Sequence, residues 1–465
     1  MSDIWRYFRH TWSNQHATVP GRTMALLVRD RAAANHPVIG IAALSSAIVQ
    51  MDKRDSWIGW RPKDVLSELS DNPSGEHARW LVSRLEQRKS EVYIDDLIRD
   101  ELFWPTLWEC PATESIEALR SEATARRADH LRLARRDHVA TLGRDCADYW
   151  EARAESDLYR AKRCLLLADL MRDKAALLRF LYPKARAAGL RSALEDPEAR
   201  RAIMSIARRA KADTVGTEIA DLSVCGAVAP YNEIIGGKLV AMLAMSPSVV
   251  RAYQRKYRHY ESEIASSVAG RPISRASRLV YIGTTSLYGI ASSQYNRVSI
   301  PAAVLDADAD LRLERLGRSR SFGTSHFSAD TVAALVRLCE QTSNGTRVNS
   351  LFGEGVNPKL RKVRAGLDAL GWPSDRLLRH GRERLIYGVS LVHNLRSYLL
   401  GMNSRPRYLV RSTTTDDVRR ISGWWMTRWL WGRIESADVL DRVASDTTER
   451  PVRHRARVAL PAGSN

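Results

Sequence analysis

Two clusters of small, polar and basic residues in this 465-residue chain have the makings of a ligand site. The first is Gly236-Gly237-Lys238, between a strand-like run, Leu222–Ala229, and an apolar stretch that stops near Pro247. Glycines at a helix start expose backbone N–H groups, which with the helix dipole can hold a phosphate or carboxylate, and Lys238 would add charge. The commoner use of such glycines is close approach of helix and strand, and the spacing is compatible with both. The second cluster surrounds the end of a predicted strand, Arg278–Ser286. It comprises Thr284, Thr285, Ser286, Tyr288, Ser292, Ser293, Gln294, Tyr295 and Asn296. Such hydroxyls suit phosphate contacts, and Tyr288 or Tyr295 could stack on a base. A polar turn that satisfies its own backbone is the alternative.

A third group is purely basic. Lys359, Arg361, Lys362 and Arg364 open a predicted helix, Pro358–Ala369, and Arg318 and Arg320 lie in a glycine-flanked segment before it. The chain carries 72 Lys and Arg against 53 Asp and Glu, a net charge of +19. The excess is concentrated, with 21 basic and 9 acidic residues in 311–430, whereas 1–120 is close to neutral. A surface of that sign attracts polyanions through salt-sensitive phosphate contacts that carry no sequence information. The same residues would equally serve a solvated helix face. Trp424–Trp431 reads as a core or interface helix rather than a stacking platform, given its apolar density.

Several chemistries lack their signatures. Lys238 is followed by Leu239, so no GxxxxGK[ST] loop exists, and no GxGxxG follows a strand. There is no HExxH, no GxSxG and no CxxC among the five cysteines, so neither a metal site nor a cofactor is expected. The longest apolar runs fall far short of the ~20 residues of a membrane span. The expectation is a cytosolic, non-motor protein without membrane contact.

The elements that must position these residues fall into four stretches. In 1–60, residues 24–33 read as a short helix, Val38–Leu44 as a buried strand, Asp52–Asp55 as a turn and Trp57–Trp60 as extended. Residues 61–212 are rich in Ala, Leu, Arg and Glu and read as all-helical, with one or two long helices between Ile116 and Tyr182. Residues 213–300 return to strand and helix alternation. Residues 301–465 form a basic, mainly helical region. The fold class is α+β: a mixed α/β core split by a long helical insertion. The order strand, glycine turn, helix, strand resembles Gcn5-related acetyltransferases, although Ile235-Gly-Gly-Lys238 replaces their usual Q/RxxGxG/A turn. That likeness implies coenzyme A bound at Gly236, Gly237 and Lys238.

A more extensive resemblance runs through Asp221–Val240, Ile282-Gly-Thr-Thr-Ser-Leu-Tyr-Gly289, Ser292–Val298, Phe352–Arg364 and Ser390–Tyr398. Val38-Ile-Gly40 and Arg54-Asp-Ser-Trp-Ile-Gly-Trp60 extend it. These segments resemble the DruA family of Druantia systems. The resemblance implies anti-phage defence beside a large helicase-like partner, and supplies no catalytic residues. The expected function is a nucleic-acid-engaging subunit, with DNA the expected nucleic acid. The rivals are an enzyme, either a transferase of acetyltransferase-related fold or a nuclease, and a non-catalytic assembly scaffold.

Overall fold

The computed structural model describes residues 1–12, 21–132, 143–144, 146, 148–286, 294–319, 323–324, 326–342, 358–379, 381, 383–411 and 416–446. Its strands are β1 (Thr23–Arg29), β2 (Val38–Ser46), β3 (Ile219–Ala227), β4 (Tyr281–Thr285), β5 (Ser299–Ile300), β6 (Leu311–Arg312), β7 (Glu314–Arg318) and β8 (Leu385–Ser390). Six form one sheet in the order β1-β2-β3-β4-β8-β7, and β5 pairs with β6 apart from it. The sheet is mixed: β3 and β4 run parallel and every other pair is antiparallel. With the helices around it this is an α+β fold.

Two local expectations in the first stretch are overturned. Residues 24–33 begin as strand β1, not a helix, because Met24, Leu26 and Val28 point to one side while Leu27 points to the other. Alternation of that kind suits a hairpin with β2, which pairs Met24 with Leu44 and Leu26 with Ala42. The second correction is at 52–60. Asp52–Ile58 is a helix, and Gly59 ends it at φ 76°, a left-handed position that glycine occupies without steric cost. Trp60 is then fully buried, its indole N–H donating to Asp55 Oδ1 at 2.9 Å.

The sheet is covered on both faces. Ala42, Leu44, Ala220, Leu222, Ile282 and Tyr387 face the apolar helix Asn232–Ala244 and the C-terminal Ile421 and Trp425. On the other face Ile41, Ala43 and Val224 meet Trp5, Phe8 and Trp12 of the N-terminal segment. Further along that face Ile219 and Tyr281 merge with the core of the helices that follow β2. Because side chains alternate, β2 and β3 are apolar on both sides and read as near-continuous hydrophobic runs.

Between β2 and β3 the described residues are mainly helical, including Pro62–Asp71, Gly75–Ser90, Thr113–Arg132, Asp157–Leu181 and Pro197–Val215. Caps set the boundaries: Ser74 Oγ accepts from His77 N, and Asp196 Oδ1 from the N–H groups of Glu198 and Ala199. Where the apolar spacing suggested one or two long helices, the described residues hold Thr113–Arg132 and Asp157–Leu181, with 133–142 outside the described residues. No single helix among the described residues is long and apolar enough to cross a membrane.

A second helical piece interrupts the sheet itself. Between the paired strands β7 and β8 lie Ala329–Thr342, Pro358–Ala369 and Ser374–Leu377, around a small core of Leu335, Val363, Leu367 and Leu378. Four such side chains contribute roughly 1.5–3 kcal/mol each. That is too little to order a lobe of this length unaided, so its anchorage in the hairpin matters.

Candidate functional site

The glycine pair sits in a break inside Asn232–Ala244. Gly236 has φ 61° and ψ −170°, a combination that is essentially restricted to glycine. The first turn, from Asn232, ends there, and the apolar part of the helix runs on from Gly237. At Gly237 a methyl group would overlap the Gln294 side chain, so the two are in close apposition. Cys225 on β3 lies 3.6 Å from the Gly237 carbonyl, and burial pushes its thiol up to about 12.

Basic side chains gather at this break from three parts of the chain. Arg433 Nη1 donates to the Ile234 carbonyl at 2.8 Å and lies beside Gly236. Lys238 Nζ stands 5.4 Å from the centre of the Trp429 ring. Burial lowers the Lys238 pKa, and the charges of Arg433 and Arg297 lower it further. The nearest carboxylate on the same helix, Glu233, is taken up by Arg442 at 3.0 Å and by the Asn232 amide.

The second sequence cluster divides. Thr284 Oγ1 donates to the Leu222 carbonyl at 2.9 Å, and Ser286 Oγ accepts from Leu385 N at 3.0 Å, so both hydroxyls serve the sheet. Thr285 pairs opposite Ile386 on β8. Tyr295 is buried against Tyr387, with ring centres 5.6 Å apart, and Asn296 Oδ1 accepts from the Tyr387 hydroxyl at 2.7 Å. Among the described members of this group, Gln294 is the one that packs on the glycine break. Tyr288, Ser292 and Ser293 lie outside the described residues.

The basic group maps to the lobe between β7 and β8. Pro358–Ala369 is a helix over its predicted span, with Val363 and Leu367 inward and Lys359 exposed. Arg364 pairs with Asp375 at 2.6 Å, and Arg318 on β7 pairs with Glu383 at 3.2 Å. Arg361 and Lys362 are half-buried, and Arg320 lies outside the described residues. Arg315, Arg337, Arg376, Arg379 and Arg384 add exposed charge that sequence reasoning did not single out. Arg297 closes the polar cluster that begins at Ser292, but Arg433 was missed, and only the fold brings either to Lys238.

Sequence reasoning also passed over Asp221 and Tyr281. A side chain at Gly283 would meet Asp221 Oδ1 at 2.7 Å and Tyr281 Cε1 at 3.1 Å, so both groups crowd that glycine. Burial raises the pKa of each. Gly283 stands opposite Gly388 in the β4–β8 register, a pairing that only topology reveals.

Fold and site together define an α+β protein whose sheet carries two helical insertions, a glycine-broken helix ringed by cations, and a basic lobe. Residues 1–72 and 187–401 match the family model described as Druantia protein DruA, and the chain belongs to that family. Membership makes it a component of a Druantia anti-phage defence system. The Druantia protein DruA of Escherichia coli (strain UMEA 4076-1) is 27% identical over 240 residues, 50% of this chain and 55% of that protein. The chain thus spans about half the length of the curated relative it matches. The unmatched residues are 73–186, within the helices after β2, and 402–465, which include Trp429 and Arg433. No solved structure matches the chain.

Proposed function

We propose that this protein is a nucleic-acid-engaging, non-motor subunit of its defence system, acting on DNA in the cytoplasm beside a helicase-like partner. The observation that carries the reading is the lobe between β7 and β8. Arg315, Arg337, Lys362, Arg376, Arg379 and Arg384 have no carboxylate partner among the described residues. Cations left unpaired on a surface are available for phosphate oxygens, and each phosphate neutralised releases counterions. A contact of this kind grips the backbone and reads no bases.

The test is fluorescence-polarisation binding to single-stranded, duplex and forked DNA across a salt series. The reading requires affinity that falls steeply with salt. Absence of binding at low salt would remove it and leave the assembly-scaffold reading. The transferase reading draws support from one observation, the parallel β3–β4 pair joined through the glycine-broken helix. Calorimetry with coenzyme A decides it.

A further inference from the structure

Lys238, Arg297 and Arg433 come from a helix, a short 3-10 turn and the C-terminal helical segment: Arg433 lies beside Gly236, Lys238 follows the glycine pair, and Arg297 closes the turn whose Gln294 packs on Gly237, near enough for its charge to lower the Lys238 pKa. None has a carboxylate partner among the described residues. Arg433 spends one N–H on the Ile234 carbonyl, while Lys238 and Arg297 make no hydrogen bond there. Several buried or half-buried cations of this fold are matched by carboxylates, among them Arg163 with Asp96, Lys211 with Asp55 and Arg275 with Glu91. Like charges held near one another disfavour each other's charged forms, a cost that a bound anion would offset. Glu233, the carboxylate best placed to intervene, is turned instead to Arg442.

We infer that Lys238, Arg297 and Arg433 form a binding site for a phosphate-bearing ligand of diphosphate size at the Gly236 break. Gly236 and Gly237 carry no side chains of their own, which lets Arg433 and Gln294 approach the break closely. Trp429 beneath Lys238 fixes the ammonium by its ring face. The site is separate from the basic lobe, so it stands or falls independently of the nucleic-acid reading. Two ligands share the required chemistry: a nucleoside diphosphate, and the phosphorylated end of a nucleic-acid strand.

The test uses isothermal calorimetry of the full chain with inorganic pyrophosphate at constant ionic strength. Saturable binding of one pyrophosphate per chain is expected, weakened at least tenfold by Lys238→Gln and by Arg297→Gln. Arg297 is exposed, so its variant retains the fold, checked by circular dichroism. Arg376→Gln in the lobe leaves pyrophosphate affinity unchanged while lowering DNA affinity, which separates the two proposals. Competition by ADP assigns a nucleotide ligand, and competition by a 5′-phosphorylated but not a 5′-hydroxyl oligonucleotide assigns a strand end. The inference is overturned if the folded wild type shows no saturable heat, if both Gln variants bind as wild type, or if neither ADP nor the oligonucleotide competes.

Discussion

The hydroxyl of Tyr398 donates a 2.6 Å hydrogen bond to Oε1 of Glu218 where the sheet meets the helical body, and both residues are buried. Burial pushes the Glu218 carboxyl up to about 7, against the opposing pull of Tyr398, Arg278 and Arg22. The unfolded chain titrates the same group near 4.5. Folding therefore takes up a proton between these values, and stability declines as pH rises from about 4.5 to about 7. Glu218→Gln keeps an oxygen for Tyr398 and removes the titration. Urea denaturation should find the variant more stable than wild type at pH 8, by on the order of 3 kcal/mol, and equal to it near pH 4. Equal stabilities at pH 8 would mean the carboxyl titrates normally.

Tyr281 lies across two facing glycines. A methyl group at Gly388 would sit 2.7 Å from Tyr281 Cζ and overlap its hydroxyl, which has no hydrogen-bond partner among the described residues. Gly388→Ala should cost about 1–3 kcal/mol by overpacking. Tyr281→Phe removes an unsatisfied hydroxyl and should leave the protein at least as stable as wild type. In the double variant the two effects should not add, because the phenylalanine relieves part of the clash. Strict additivity in thermal melts would refute the steric conflict.

Asp96 and Arg163, both fully buried, are joined by a two-pronged ion pair, with N–O distances of 2.8 and 2.6 Å. Arg163 also donates to the Ala154 and Tyr93 carbonyls, locking the helix Asp157–Leu181 to the turns before it. Asp96→Ala strands a guanidinium in the core and should cost about 3–5 kcal/mol, read as a lowered urea midpoint. A loss under about 1 kcal/mol would show that water reaches the site.

For the basic lobe the informative quantity is the salt slope. Replacing Lys362, Arg376, Arg379 and Arg384 with Ala should weaken binding to all DNA sequences alike. For every phosphate that the variant no longer neutralises, the plot of log affinity against log salt should flatten by about 0.9. An unaltered slope would move the DNA-binding surface elsewhere, with the melting temperature as a control for folding.

The helical stretches were legible because their apolar spacing and caps are local. Pro358–Ala369 appears where its pattern put it, and long helices occupy the described parts of the span from Ile116 to Tyr182. β1 was not legible, since Met24-Ala-Leu-Leu-Val28 suits either helix or strand and only pairing with β2 decides it. The helix Asp52–Ile58 was hidden by its aromatic end, whose tryptophans serve burial rather than a strand. At the site, Gly236 announces itself and Arg297 ends a visible polar cluster, but they lie 61 positions apart, and Arg433, 197 positions from Gly236, carries no local signal. The strands β7 and β8 were masked by the lobe between them.

The separation of β2 from β3 has a consequence for how the chain is made. Ser45 and Ser223, hydrogen-bonded across the two strands, are 178 positions apart. At ordinary rates of synthesis β2 emerges roughly ten to forty seconds before its neighbour. For that interval the β1–β2 ribbon has an open edge, the kind of surface on which nascent chains stick to one another. The intervening helices, rich in short-range contacts, can consolidate during the wait and bring the two strand ends within reach. In this protein the helices between β2 and β3, most of them outside the family match, would then act as a tether that shortens a costly search.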